Sequence, residues 1–154
     1  MGFQYGWFDQ FYVDGKWVTL PQTPEAEHAL AMVRKTVEII DYFQPRYYVM
    51  ENPKALLRKT EAIPYLIHTV WYCHYGEKRA KPTDLWGHFP ESLVLSPECH
   101  NQRESHPPVD CCCRDHTSAP RGSRTGTQGM NREESAKIPY PLALAFCEAA
   151  EHDS

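Results

Sequence analysis

Between Thr23 and Pro53 a helix, a short turn and an apolar strand follow one another, and this order restricts the fold more than any other stretch. Thr23-Pro24-Glu25 supplies a capping hydroxyl, a proline at the first helical position and an acid in the first turn. Leu30, Val33, Val37 and Ile40 then recur at spacings of three and four, giving one apolar face. Pro45 forbids continuation, and Gln44-Pro45-Arg46 turns the chain into Tyr47-Tyr48-Val49-Met50, residues that favour a strand. Helix, turn and strand in this order are half of a crossover unit and predict a parallel sheet. The strand runs into Glu51-Asn52-Pro53, which puts a carboxylate at the carboxyl edge of that sheet, where α/β proteins hold their ligands. A Glu-Asn that merely caps the next helix is the alternative.

A short polar helix is expected over Lys54 to Thr60, then a second strand, His68 to Tyr75, which breaks at Gly76. Glu77 leads into Lys78-Arg79-Ala80-Lys81, and a third apolar run follows at Thr83-Asp84-Leu85-Trp86. Upstream, Asp14-Gly15 between aromatic runs signals a hairpin, although a loop peeled from another domain has the same composition. Downstream, residues 88–130 change character to proline, cysteine, histidine, serine and glycine with little periodicity. Ser135 to Glu151 reads as a closing helix. The chain thus divides into an aromatic segment (1–22), an α/β core (23–87), a loop-rich insert (88–130) and a C-terminal helix that packs on the core (131–154).

With 154 residues and 42% hydrophobic content the chain fits one globular domain, while 13 prolines put much of it in loops. No run of 18 apolar residues exists and the start lacks a signal-peptide pattern, so no membrane partner and a cytoplasmic location, in a bacterium or an infected host cell, are expected. A net charge of −4 argues against a dedicated nucleic-acid coat protein. Locally, however, Arg114, Arg121, Arg124 and Arg132 face only Asp115 over their stretch, a patch able to contact phosphate or to be a solvated loop. Cys99, Cys111, Cys112 and Cys113 share the insert with His100, His106 and His116; the consecutive cysteines lack the paired spacing of common zinc sites, and both reduced thiols and a zinc site stay open. Cys73 and Cys147 fall in a strand and a helix, where a buried structural thiol is the default.

The order strand-Glu51-Asn52, strand-Tyr75-Gly76, basic pair Arg79-Ala80-Lys81, strand resembles the second half of the catalytic domain of DNA cytosine-5 methyltransferases. Ser118-Ala119-Pro120-Arg121-Gly122, Thr125-Gly126-Thr127-Gln128-Gly129 and Lys137-Ile138-Pro139 are similar to segments of phage-borne members, such as accompany restriction-modification systems. The resemblance implies a partial Rossmann-like methyltransferase domain, with DNA as substrate and S-adenosylmethionine as methyl donor. It implies that Glu51 holds the N3 and amino edge of a flipped-out cytosine, assisted by Asn52, Arg79 and Lys81, with Arg121 and Arg124 on the DNA from a recognition insert. Lysine at position 81 lacks the fork of the family's second arginine. The 154 residues contain no Phe-x-Gly-x-Gly donor loop and no Pro-Cys-Gln nucleophile loop; Pro97-Glu98-Cys99 lies after Glu51 instead of before it. The expectation is therefore a truncated or split member, served by a separate N-terminal half and unable to transfer methyl groups by itself. A non-catalytic nucleic-acid-binding or zinc-binding accessory protein is the alternative.

Overall fold

The structure is a computed structural model that describes residues 8–65, 67–77, 81–96, 133 and 136–154. Along these residues run strands β1 (Phe8–Val13) and β2 (Lys16–Pro21), helix α1 (Pro24–Phe43) and strand β3 (Tyr48–Pro53). A 3-10 turn (Leu56–Lys59), β4 (Ile67–Trp71), a second 3-10 turn (Tyr72–Tyr75), β5 (Pro82–His88) and helix α2 (Tyr140–His152) follow. The class is mixed α/β. Residues 97–132, which hold most of the expected insert (88–130) with Cys99, the triple cysteine, Arg121 and Arg124, lie outside the described residues.

Asp14 and Gly15 turn the first hairpin with φ of 48° and 83°, the two left-handed positions that a tight two-residue turn demands. The register pairs Val13 with Lys16 and Phe8 with Pro21. Across it the Tyr12 and Trp17 rings meet edge to face at 5.3 Å. Helix α1 begins as its sequence predicts, the Thr23 hydroxyl accepting from the Ala26 N–H at 3.3 Å. It ends at Gln44, whose left-handed backbone (φ 47°) returns its N–H to the Ile40 carbonyl at 2.8 Å before Pro45 stops the helix. Ala26 and Leu30 are buried and Val33, Val37 and Ile40 are half-buried, so the predicted stripe is the inward face. At the far end of α1, Tyr65 donates its hydroxyl proton to Asp41 at 2.7 Å and packs edge to face on Tyr48. Burial first, then the Asp41 carboxylate, hold the Tyr65 hydroxyl above its ordinary pKa.

Three strands form the second sheet in the order β3-β5-β4, and both sheets are antiparallel. The expected parallel pairing is therefore replaced among the described strands. The segment joining β4 to β5 holds only the 3-10 turn and a few residues more, too short for a crossover, so the chain folds back on itself. Strand β4 ends at Trp71, earlier than Tyr75, because the chain tightens into a 3-10 turn that Gly76 (φ 87°) terminates. The helix expected over 54–60 is reduced to the 3-10 turn Leu56–Lys59, and the closing helix starts at Tyr140, with Pro139 at its cap. The residues fall into two compact units, Met1–His68 with Asp84–His88, and Thr69–Thr83 with Phe89–Ser154.

The first unit buries Ala26, Leu30, Leu57, Leu85 and Trp86. Gly87 is essential to it: a Cβ there would lie 2.1 Å from the Tyr48 carbonyl oxygen, inside any contact distance. Gly87→Ala is therefore expected to destabilise the protein by about 1–3 kcal/mol, read as a lowered midpoint in chemical denaturation.

The second unit buries Val70, Trp71, Tyr72, Cys73 and Tyr75 with Leu142 and Ala149 of α2. Its helix is tied down at the C-terminal end, where Asp153 accepts the Ser92 backbone N–H at 3.0 Å and the Ser92 hydroxyl reaches the Ala149 carbonyl at 3.3 Å. A carboxylate is unfavourable near a helix C-terminus. Here the bond from His152, then the Ser92 N–H, hold Asp153 down to about 2 from an ordinary 3.8. A depressed folded-state value means this contribution is fully present above 3.8 and disappears as pH falls toward about 2. Asp153→Asn should lower stability modestly at neutral pH, where the contribution is fully present, and flatten that part of the acid-unfolding curve. Variant and wild type then converge as pH falls toward about 2, a difference that circular dichroism at a series of pH values would detect.

Candidate functional site

Strand β3 extends through Glu51, Asn52 and Pro53 before it ends, so the acid and amide are held in extended backbone inside the sheet. Beside them the first unit contains a cleft of about 1050 Å³. The opening turns of α1 form one wall through Glu25, His28, Met32 and Thr36, and β3 forms another through Met50, Glu51 and Asn52. Leu57, Ile63 and Trp86 complete it. Asn52 is buried, its amide donating to the Pro53 carbonyl at 3.0 Å. Glu51 is half-buried.

Two thioethers, an indole and branched aliphatic chains make walls suited to a flat, polarisable ring. The polar groups are two carboxylates, a carboxamide, a hydroxyl and an imidazole, and among the described residues no lysine or arginine lines the cleft. Such a site disfavours a phosphate and favours a neutral or cationic group that presents N–H donors.

Behind the cleft stands a charge pair that spacing alone does not announce. Asp84, on the middle strand β5, is wholly buried. Arg58, in the 3-10 turn after β3, donates from Nε to Oδ2 at 2.8 Å and from Nη2 to Oδ1 at 2.5 Å. The turn that carries Arg58 is closed by Thr60, whose hydroxyl donates to the Leu57 carbonyl at 2.7 Å. The sequence does hold a signal for this pair: an aspartate inside the apolar run Thr83–Trp86 demands a cation. Its identity is hidden by the separation of 26 residues.

Of the residues singled out from sequence, Glu51 and Asn52 line the cleft together. Lys81 belongs to the second unit, where its ammonium lies 4.4 Å above the Tyr72 ring. Arg79 lies outside the described residues. Cys73 is buried as expected, whereas Cys147 is exposed on α2. Among the described residues no three His, Cys, Asp or Glu side chains gather as a metal site, and no helix is long and apolar enough to cross a membrane. His28 and Glu25 were not anticipated, because they read as ordinary solvent-facing helix residues.

The implied methyl donor needs a glycine-rich loop that admits close backbone approach. The described glycines sit in the hairpin turn (Gly15), after a 3-10 turn (Gly76) and inside β5 against Tyr48 (Gly87). None opens a helix, so the described residues do not form the donor's cradle.

Fold and cleft together define a mixed α/β protein with an acid-amide pair in an apolar pocket. The chain is similar to a probable DNA (cytosine-5)-methyltransferase of frog virus 3 (isolate Goorha), 28% identical over 120 residues. The match covers 75% of this chain and 55% of that protein, so the chain spans just over half the length of the relative. No family model matches the chain, and no solved structure matches it.

The charge pair makes a sharp stability test. Arg58→Met leaves the Asp84 carboxylate buried without its fork and should cost about 3 kcal/mol. Thermal melts at neutral pH would show it as a clear drop in Tm.

Proposed function

We propose that this chain is a DNA cytosine-5 methyltransferase-like protein that retains the base-holding part of the site, with DNA as its partner. The observation that carries the reading is Glu51 beside Asn52 on the wall of an apolar cleft that no described lysine or arginine lines. A cytosine is a flat ring with a donor-bearing amino edge, and extrusion from the duplex leaves the charged backbone outside the pocket. Glu51 takes the amino and N3 edge, sharing a proton at N3, while Met32, Met50 and Trp86 cover the ring faces. Arg79 and Lys81 serve the adjacent backbone, and Arg121 and Arg124 contact DNA from the insert over 88–130. The sheet and α1 are, in this reading, a C-terminal part of a methyltransferase domain in which the described strands pair antiparallel.

Methyl transfer also requires a thiolate that adds to cytosine C6 and a donor, S-adenosylmethionine, that supplies the methyl group. The chain has neither the Pro-Cys-Gln nor the Phe-x-Gly-x-Gly loop for these tasks. In this reading these 154 residues supply the base-holding part of the site, and the attacking and donor-binding parts lie outside them.

Two measurements test the proposal. End-labelled duplexes with one unpaired cytosine should bind more tightly than the same duplexes with an unpaired thymine, by fluorescence anisotropy. Glu51→Gln should cut that preference about tenfold, the loss expected for a bond to a charged group. Incubation with tritiated S-adenosylmethionine and duplex DNA should leave no label on the DNA. Equal affinity for cytosine and thymine would reject the base-holding role, and label above a Glu51→Ala control would reject the split-enzyme reading.

A further inference from the structure

We propose that Arg58 and Asp84 are a positioning pair for the Glu51 cleft, setting the distance between the wall that follows β3 and the wall supplied by β5. The inference rests on the base-holding reading above. Leu57 and Trp86 face the same cleft from two different elements. Each is tied by the chain to one member of the pair: Arg58 follows Leu57 directly, and Asp84 lies two residues before Trp86, on the same side of the strand. The two N–H···O bonds, 2.8 and 2.5 Å, join a planar fork to a planar carboxylate. Such a joint fixes rotation as well as separation, which a single-point ammonium does not.

Stability does not account for the arrangement. A wholly buried carboxylate and its cation seldom outperform well-packed apolar side chains of the same volume. What a bidentate pair adds is one defined geometry, and a pocket that tells cytosine from thymine by its hydrogen-bonding edge depends on geometry held to a fraction of an ångström. Glu51, Asn52 and Leu57 share the short chain segment whose far end Arg58 anchors. Loss of the fork lets that segment shift against Trp86, so the carboxylate no longer meets the base edge.

The test separates positioning from folding. The full chain is compared with the double variant R58M/D84L, which fills the space with apolar groups, and with R58K, which keeps the charge and removes the fork. The probes are the end-labelled duplexes with one unpaired cytosine, one unpaired thymine or no unpaired base. Both variants are expected to lose about tenfold in the cytosine-to-thymine affinity ratio, with affinity for the fully paired duplex unchanged. R58M/D84L should melt at or above the wild-type temperature. A folded variant that keeps the wild-type ratio would show that the pair only supports the fold, and it would overturn the proposal. Should R58M/D84L fail to fold, R58K decides the matter by the same ratio. A wild-type chain with no preference for cytosine fails the base-holding reading itself, and the positioning role falls with it.

Discussion

A carboxylate with no exposed surface sits on the middle strand of the three-stranded sheet, and an arginine from the turn after β3 reaches it. Burying a carboxylate is costly without donors, and Arg58 supplies two of them to Asp84. The same turn carries Leu57, which is buried and lines the cleft with Trp86 and the end of β3.

Much of the first unit can be read from residues alone because its signals are local. Thr23-Pro24, the Leu30-to-Ile40 stripe, Gln44-Pro45 and Asp14-Gly15 each act within a turn or two, and each appears where its chemistry predicts. The sheet was less legible, since strand direction follows from the length of the connection after β4 and not from the strands themselves. The 3-10 turns at 56–59 and 72–75 replaced a helix and the end of a strand because short apolar runs fit several backbone periods. In the site, Glu51 and Asn52 could be recognised as neighbours in sequence, whereas Arg58 and Asp84 meet only through the fold.

The two units set different requirements on the same stretch of chain. Strand β5 begins in the second unit, where Thr83 is buried, and ends in the first, where Asp84, Leu85 and Trp86 are buried. Five of its residues are buried, as expected of a middle strand. An apolar run broken by a single acid is the mark such a strand leaves in sequence when one of its neighbours supplies a cation.

Gly87 has a bearing on how β5 finds its place during folding. The Tyr48 carbonyl occupies the volume that any larger residue at position 87 would fill. A slip of one residue in either direction would bring Trp86 or His88 under that oxygen, and neither fits. The missing side chain therefore works as a notch: it admits one alignment of β5 on β3 and rejects its nearest competitors by steric exclusion, before any favourable contact has formed.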